Sequence, residues 1–215
     1  MSRMFKGFLL LLAVVGLYQA VALANGSTMP SSPGGASSRM LTPEERAVES
    51  YNNGVEHKDK GRKLEEQAAA KQGADAVKLA GKARGEYEKA LKDFKNAAQA
   101  NPKLFQAYNG MGFSLRKTGD FAKALVMYDQ AIGMASGFYA EAVEYRAEAY
   151  LGLNRMDDAR QAYLDLFGAD RKQADMLMAT MKSWVAARHA DSAGVDPAAL
   201  AAFELKLRRI VVALA

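Results

Sequence analysis

From Thr42 onward, apolar residues recur every three or four positions along the chain. That is the period of a helix with one buried face. "TPEE" opens the pattern: Thr42 can cap the first free amides, Pro43 suits the first helical position, and Glu45 completes a capping box. No stretch alternates apolar and polar residues with the Val, Ile and Thr enrichment of a strand, so an all-α fold is expected. Near the end, Ala174, Leu177, Met181 and Trp184 form one stripe. Asp196-Pro197 starts another helix, with Leu200, Phe203, Leu207, Ile210 and Leu214 on its apolar face. Met176, Met178 and Met181 could form an adaptable binding surface, but they are expected in the core.

Two segments align with each other, Ala107 to Ile132 and Glu144 to Phe167. Ala124 and Ala159 are equivalent and lie 35 residues apart. Tyr128 and Tyr163 follow them by four, and Phe121 and Met156 precede them by three. A third copy of the second half holds Tyr87, Ala90, Phe94 and Ala97. A period near 34 with helix–turn–helix units signals a repeat array. At these residues the chain resembles the tetratricopeptide repeat family. The family's pairing of small residues is matched by Gly112 with Ala124 and by Ala147 with Ala159. Gly119-Asp120 supplies one turn, and Leu153-Asn154 supplies the other without the usual glycine. The resemblance covers roughly Ala47 to Phe167. It implies a short α-solenoid of about three repeats, over residues 43–102, 105–137 and 140–168. Two C-terminal helices, within 169–215, would cap it.

The first repeat carries 24 surplus residues between its two helices. Gly73 is their midpoint. Ala47, Gly54, Gly61 and Ala68 recur every seven residues before it, and Ala76, Ala83, Ala90 and Ala97 after it. Small residues in heptads on antiparallel helices let backbones approach. Ala80, Tyr87 and Phe94 form a larger row beside the second seam. The expected form is a long hairpin, Pro43 to about Gln72 and about Asp75 to Ala100, each arm about 40 Å long. Gly73 would end the first arm and Asp75 would cap the second. Gly61 and Gly85 would face one another across the seam. The alternative is one continuous helix from Arg62 to Ala100, in which Gly73, Gly81 and Gly85 would each cost about 1 kcal/mol.

The first 24 residues read as a signal peptide: Arg3 and Lys6, an apolar run from Phe8 to Val15, and Ala22-Leu23-Ala24 for cleavage after Ala24. An uncleaved membrane anchor is the alternative. Residues 25–42 hold ten Ser, Gly or Pro among eighteen and read as a disordered linker. The expected location is periplasmic or secreted. The formal charge is +5, two units of it from Arg3 and Lys6, too little and too dispersed for a nucleic-acid surface. The chain has no cysteine, so disulfides and thiolate metal sites are excluded.

Nothing in the sequence points to catalysis, a metal or a cofactor. His57 and His189 lack partners at ligand spacing, and His57 reads as a solvated histidine. Gly110-Met111-Gly112 lies within a helix, with no strand before it, so it is not a phosphate loop. Glu56/Lys60 and Glu88/Lys92 are spaced as helix-surface ion pairs.

What remains is a surface. The resemblance implies a groove lined by the first helix of each repeat, binding a peptide or protein segment. Carried over, the candidates are Tyr51, Asn52, Val55 and Lys58 from the first repeat and Gln106, Asn109, Phe113 and Arg116 from the second. The third gives Glu141, Glu144 and Glu148. The family's clamp for a C-terminal carboxylate is not matched, because Glu144, Tyr51 and Asn109 stand at its positions. The expected function is a non-enzymatic periplasmic scaffold. Its partner would be a basic or amphipathic segment held between Phe113 and the acidic wall. The competing reading of the acidic stripe is a solvated face paired with Arg116 or Arg146. The alternative function is self-association through the long hairpin, giving a homo-oligomer.

Overall fold

The structure is a computed structural model and describes residues 40–213. The signal-peptide segment, the linker up to residue 39 and Leu214 lie outside the described residues. Eight helices follow one another among those described: α1 (Pro43–Ala69), α2 (Gly73–Ala100), α3 (Phe105–Lys117), α4 (Phe121–Met134), α5 (Ala140–Gly152), α6 (Met156–Ala169), α7 (Arg171–Ala190) and α8 (Pro197–Ala213). All regular structure in this range is helical, as a short helical solenoid requires. No helix in this range is long and apolar enough to cross a membrane.

Local chemistry sets the helix starts. Thr42 and Glu45 form the full capping box at α1. Asp120, Asp170 and Asp196 accept from the backbone amides of Lys123, Gln173 and Ala199, which starts α4, α7 and α8. Gly119 takes φ +91 in the turn before α4. Asn154 takes φ +60 in the equivalent turn before α6. Asparagine is the side chain that tolerates this left-handed backbone when glycine is absent.

The surplus residues form a hairpin, and the continuous helix is excluded. The chain reverses between Ala69 and Gly73, whose φ is +62. The turn has two differences from the sequence reading. The first arm stops at Ala69, three residues early, and Gly73 opens the second arm rather than closing the first. Asp75 makes no cap: Gln72 occupies that position with no side-chain bond, and Asp75 sits in the first turn, where its charge suits the helix dipole.

The seam is built differently from two backbones in contact. The α1 glycines receive rings from α2. A Cβ on Gly54 would lie 2.7 Å from the Phe94 ring, and one on Gly61 2.5 Å from the Tyr87 ring. Gly85 does not face Gly61, because the space beside it is open. The same device recurs between later helices: Gly112 receives Tyr128 and Gly152 receives Phe121. Phe94 also rests on Gly110 of α3, so one ring fills two glycine seats in different repeats. Burying a ring of this size contributes about 2 to 3 kcal/mol. Toward the tip the seam loosens: Ala68 and Ala76 are half-buried, and Ala80 is exposed rather than part of the ring row.

At the far end, Ala174, Leu177 and Met181 of α7 pack with Leu200, Phe203 and Leu207 of α8 and with Leu166 of α6 in one core. Trp184 meets Phe203 edge to face at 6.1 Å. Met178 is buried as expected, but Met176 is 44% exposed and lies on a different face.

Candidate binding groove

The odd-numbered helices α1, α3, α5 and α7 are neighbours along one face. Together they wall a hollow of about 410 Å³. Phe113 and Arg116 enter from α3, Glu144, Tyr145 and Glu148 from α5. Arg62, Glu65 and Glu66 come from the outer part of α1, and Met176, Ala179 and Thr180 from α7.

The centre of the hollow is an arginine held on three sides. The Arg116 guanidinium lies 5.2 Å from the ring centroids of both Phe113 and Tyr145. It ion-pairs with Glu148, and its Nε reaches Tyr128 Oη at 3.4 Å. Phe113 is therefore not an open apolar contact. It is 3% exposed, closed over edge-on by Tyr87 and Tyr145, with the Lys58 amino group 5.6 Å from its centroid. Lys117 pairs with Glu65 and ties α3 to the first hairpin.

Glu144 is the unusual group. It is 2% exposed, and its Oε2 has no hydrogen-bond donor. Burial, first, and then the neighbouring Glu148 carboxylate push its pKa up to about 8, against the pull of Arg116. That shift favours the protonated form, which can donate to Glu148. The acidic stripe thus divides into three roles. Glu148 is spent on Arg116, Glu141 accepts from Asn109, and Glu144 is neutral. Arg146 turns away and pairs with Asp129 instead.

A second polar group lies nearer the first repeat. Asn109 is buried, and its Nδ2 donates to Tyr139 Oη at 3.0 Å and Glu141 Oε2 at 3.3 Å. Tyr51 is half-buried and tilts against Phe94 at 5.6 Å. Asn52 is exposed, Val55 and Gln106 are half-buried, and none of the three lines the hollow. The structure therefore brings together Phe113, Arg116, Glu144 and Glu148, with Lys58 beside them, and separately Asn109 and Glu141.

Sequence reasoning missed Arg62, Glu65, Tyr145 and Thr180, and it preferred the core to a binding surface for Met176. Met176, Ala179 and Thr180 are spaced three and four apart, one face of α7 that the apolar stripe of Leu177 and Met181 overshadowed. Elsewhere, His57 is not a solvated side chain. Its Nδ1 is 2.6 Å from Glu86 Oε2 across the hairpin. Glu56 and Lys60 pair as spaced, but Glu88 pairs with Arg84. Among the described residues, no group of His, Asp and Glu is arranged to hold a metal ion.

Residues 115–181, from the end of α3 into α7, match the family model of the tetratricopeptide repeat. The chain contains tetratricopeptide repeats. The match runs past Phe167, so repeat character continues into α7, which the sequence pattern assigned wholly to the cap. A search of curated proteins found none that matches the chain. Repeats of this family generally bind other proteins or peptides.

Proposed function

We propose that this chain is an exported, non-enzymatic scaffold that holds a segment of another protein against the face of its odd-numbered helices. The observation that carries the reading is the hollow itself. A cavity of about 410 Å³ on the repeat face is walled by four helices, and Phe113, Arg116, Tyr145 and Glu148 in its lining are held by contacts to one another. Lining groups that are held before binding lose little entropy on binding. Arg116 and Lys117 are committed to Glu148 and Glu65, which argues against capture of a C-terminal carboxylate. The signal-peptide pattern of the first 24 residues supports action in the periplasm.

A photo-crosslinking side chain tests this reading in cells. Placed at Met176 on the odd-helix face it captures a discrete partner; placed at Val126, exposed on α4, it does not. Equal capture at both positions, or none at Met176, overturns the groove. Mass analysis of the exported chain should find its first residue at Asn25, and retention of Met1 would refute export by cleavage. Self-association is the second reading, favoured by Val77, which is 73% exposed near the hairpin tip. Val77→Glu should then dissociate an oligomer on sedimentation without changing capture at Met176.

A further inference from the structure

We propose that the hollow seats one basic side chain of the partner segment, lysine or arginine, with its cation on the Glu144 carboxylate. This rests on the reading of the odd-helix face as the binding face. Three observations carry it. Glu144 lines the hollow, is buried, and its Oε2 has no donor. Of the three basic side chains in the lining, two are committed elsewhere, Arg116 to Glu148 between two rings and Lys117 to Glu65, and the third, Arg62, is exposed to water. The walls suit an aliphatic stem, since Tyr145, Met176 and Ala179 line the same hollow as Glu144.

The charges around Glu144 explain why a cation is wanted. On its own helix it faces Glu141 and Glu148; from α3 it faces Arg116, and from α4 the Tyr128 phenol. Across the hollow, α1 presents Glu65 and Glu66 together with Arg62, which is exposed to water and screened. The residues of α7 that line the hollow are uncharged. One arginine among three α5 carboxylates leaves Glu144 protonated in the free protein. A bound ammonium or guanidinium supplies the missing charge. The Glu144 O–H bond then breaks, its proton passes to solvent, and the carboxylate pairs with the cation. Binding releases one proton, so affinity rises with pH until Glu144 ionises unaided.

A phage-displayed library of random 12-residue peptides, selected on the full chain at pH 8.5, tests this. Selected peptides should share one Lys or Arg and crosslink at Met176. They should bind about ten-fold more weakly at pH 7 than at pH 9, because the free carboxyl must first lose its proton. Glu144→Gln should remove that pH dependence and weaken binding at least ten-fold. Ala179→Lys, at an exposed wall position, should block the same peptides by tethering an ammonium group in the hollow, without altering the core. Peptides that crosslink at Met176 but share no basic residue, or bind Glu144→Gln equally, overturn the cation seat and leave the groove reading standing. If no selected peptide crosslinks at Met176, both fall.

Discussion

Gly54 and Gly61 on α1 each take the face of a ring from α2, whereas Gly81 and Gly85 on α2 look onto open space. The two arms of one hairpin thus use the same residue for unlike ends. On α1, glycine is a matter of volume: any side chain would collide with Phe94 or Tyr87. At Gly81 and Gly85, glycine fills no packing need and carries only the backbone-entropy cost of a helix interior. A glycine in a helix of this protein is therefore interpretable only through what lies opposite it.

The largest effect that tests this contrast is Gly61→Ala. Its new methyl would meet a Tyr87 ring that is itself wedged against Phe113, so overpacking should lower stability by about 2 to 3 kcal/mol. Urea unfolding measures it, and a loss no larger than that of Gly85→Ala would erase the contrast. The hollow beside this arm gives an effect of pH. Glu144 keeps its proton in the fold up to about pH 8, whereas its ordinary value is 4.5. Between those values the folded chain binds more protons than the unfolded chain, so stability falls as pH rises from about 4.5 to 8. The slope is at most about 1.4 kcal/mol per pH unit. In Glu144→Gln this contribution should vanish, while Val77→Glu at the tip should keep it. Thermal unfolding from pH 5 to 9 separates the two.

Smaller and opposite in sign, Gly81→Ala and Gly85→Ala should each stabilise the chain by about 0.5 to 1 kcal/mol. Destabilisation by either would mean that the outward side of α2 is packed in solution. Last, Asn154→Gly should gain about 0.5 kcal/mol or less, since asparagine already accepts the left-handed turn that glycine prefers. A measurable loss would show that the Asn154 side chain contributes a bond of its own.

Much of the architecture is legible in the sequence, because it rests on local signals. The capping box at Thr42, the aspartate before α4, the turn near Gly73 and the left-handed Asn154 are each encoded within a few residues. The seam was legible only in part. Heptads of small residues show which side of a helix is buried, but not what enters from the other side, since that depends on the relative heights of two helices. The groove was least legible. Phe113 is closed over by Tyr87 and Tyr145, which come from α2 and α5, and no local spacing joins them. Glu144, in a stripe with Glu141 and Glu148, reads as one of three equal charges. It is set apart by its burial, and by Arg116, which arrives from α3 already committed to Glu148. Met176 was read with Met178 and Met181 as core, because the apolar stripe beside it outweighed its own position on another face.

The Phe94 ring, resting on Gly54 and Gly110 at once, has a mechanical consequence. An arm about 40 Å long is a beam, and this one is fixed at its root by a rigid plate with backbone on either side. The plate cannot turn or slide without striking one of the two helices, so the root resists pivoting as well as withdrawal. Whatever meets the tip of the hairpin, the angle at which the beam leaves the array is set at that root and, farther out, by Tyr87 against Phe113 and Lys117 on Glu65.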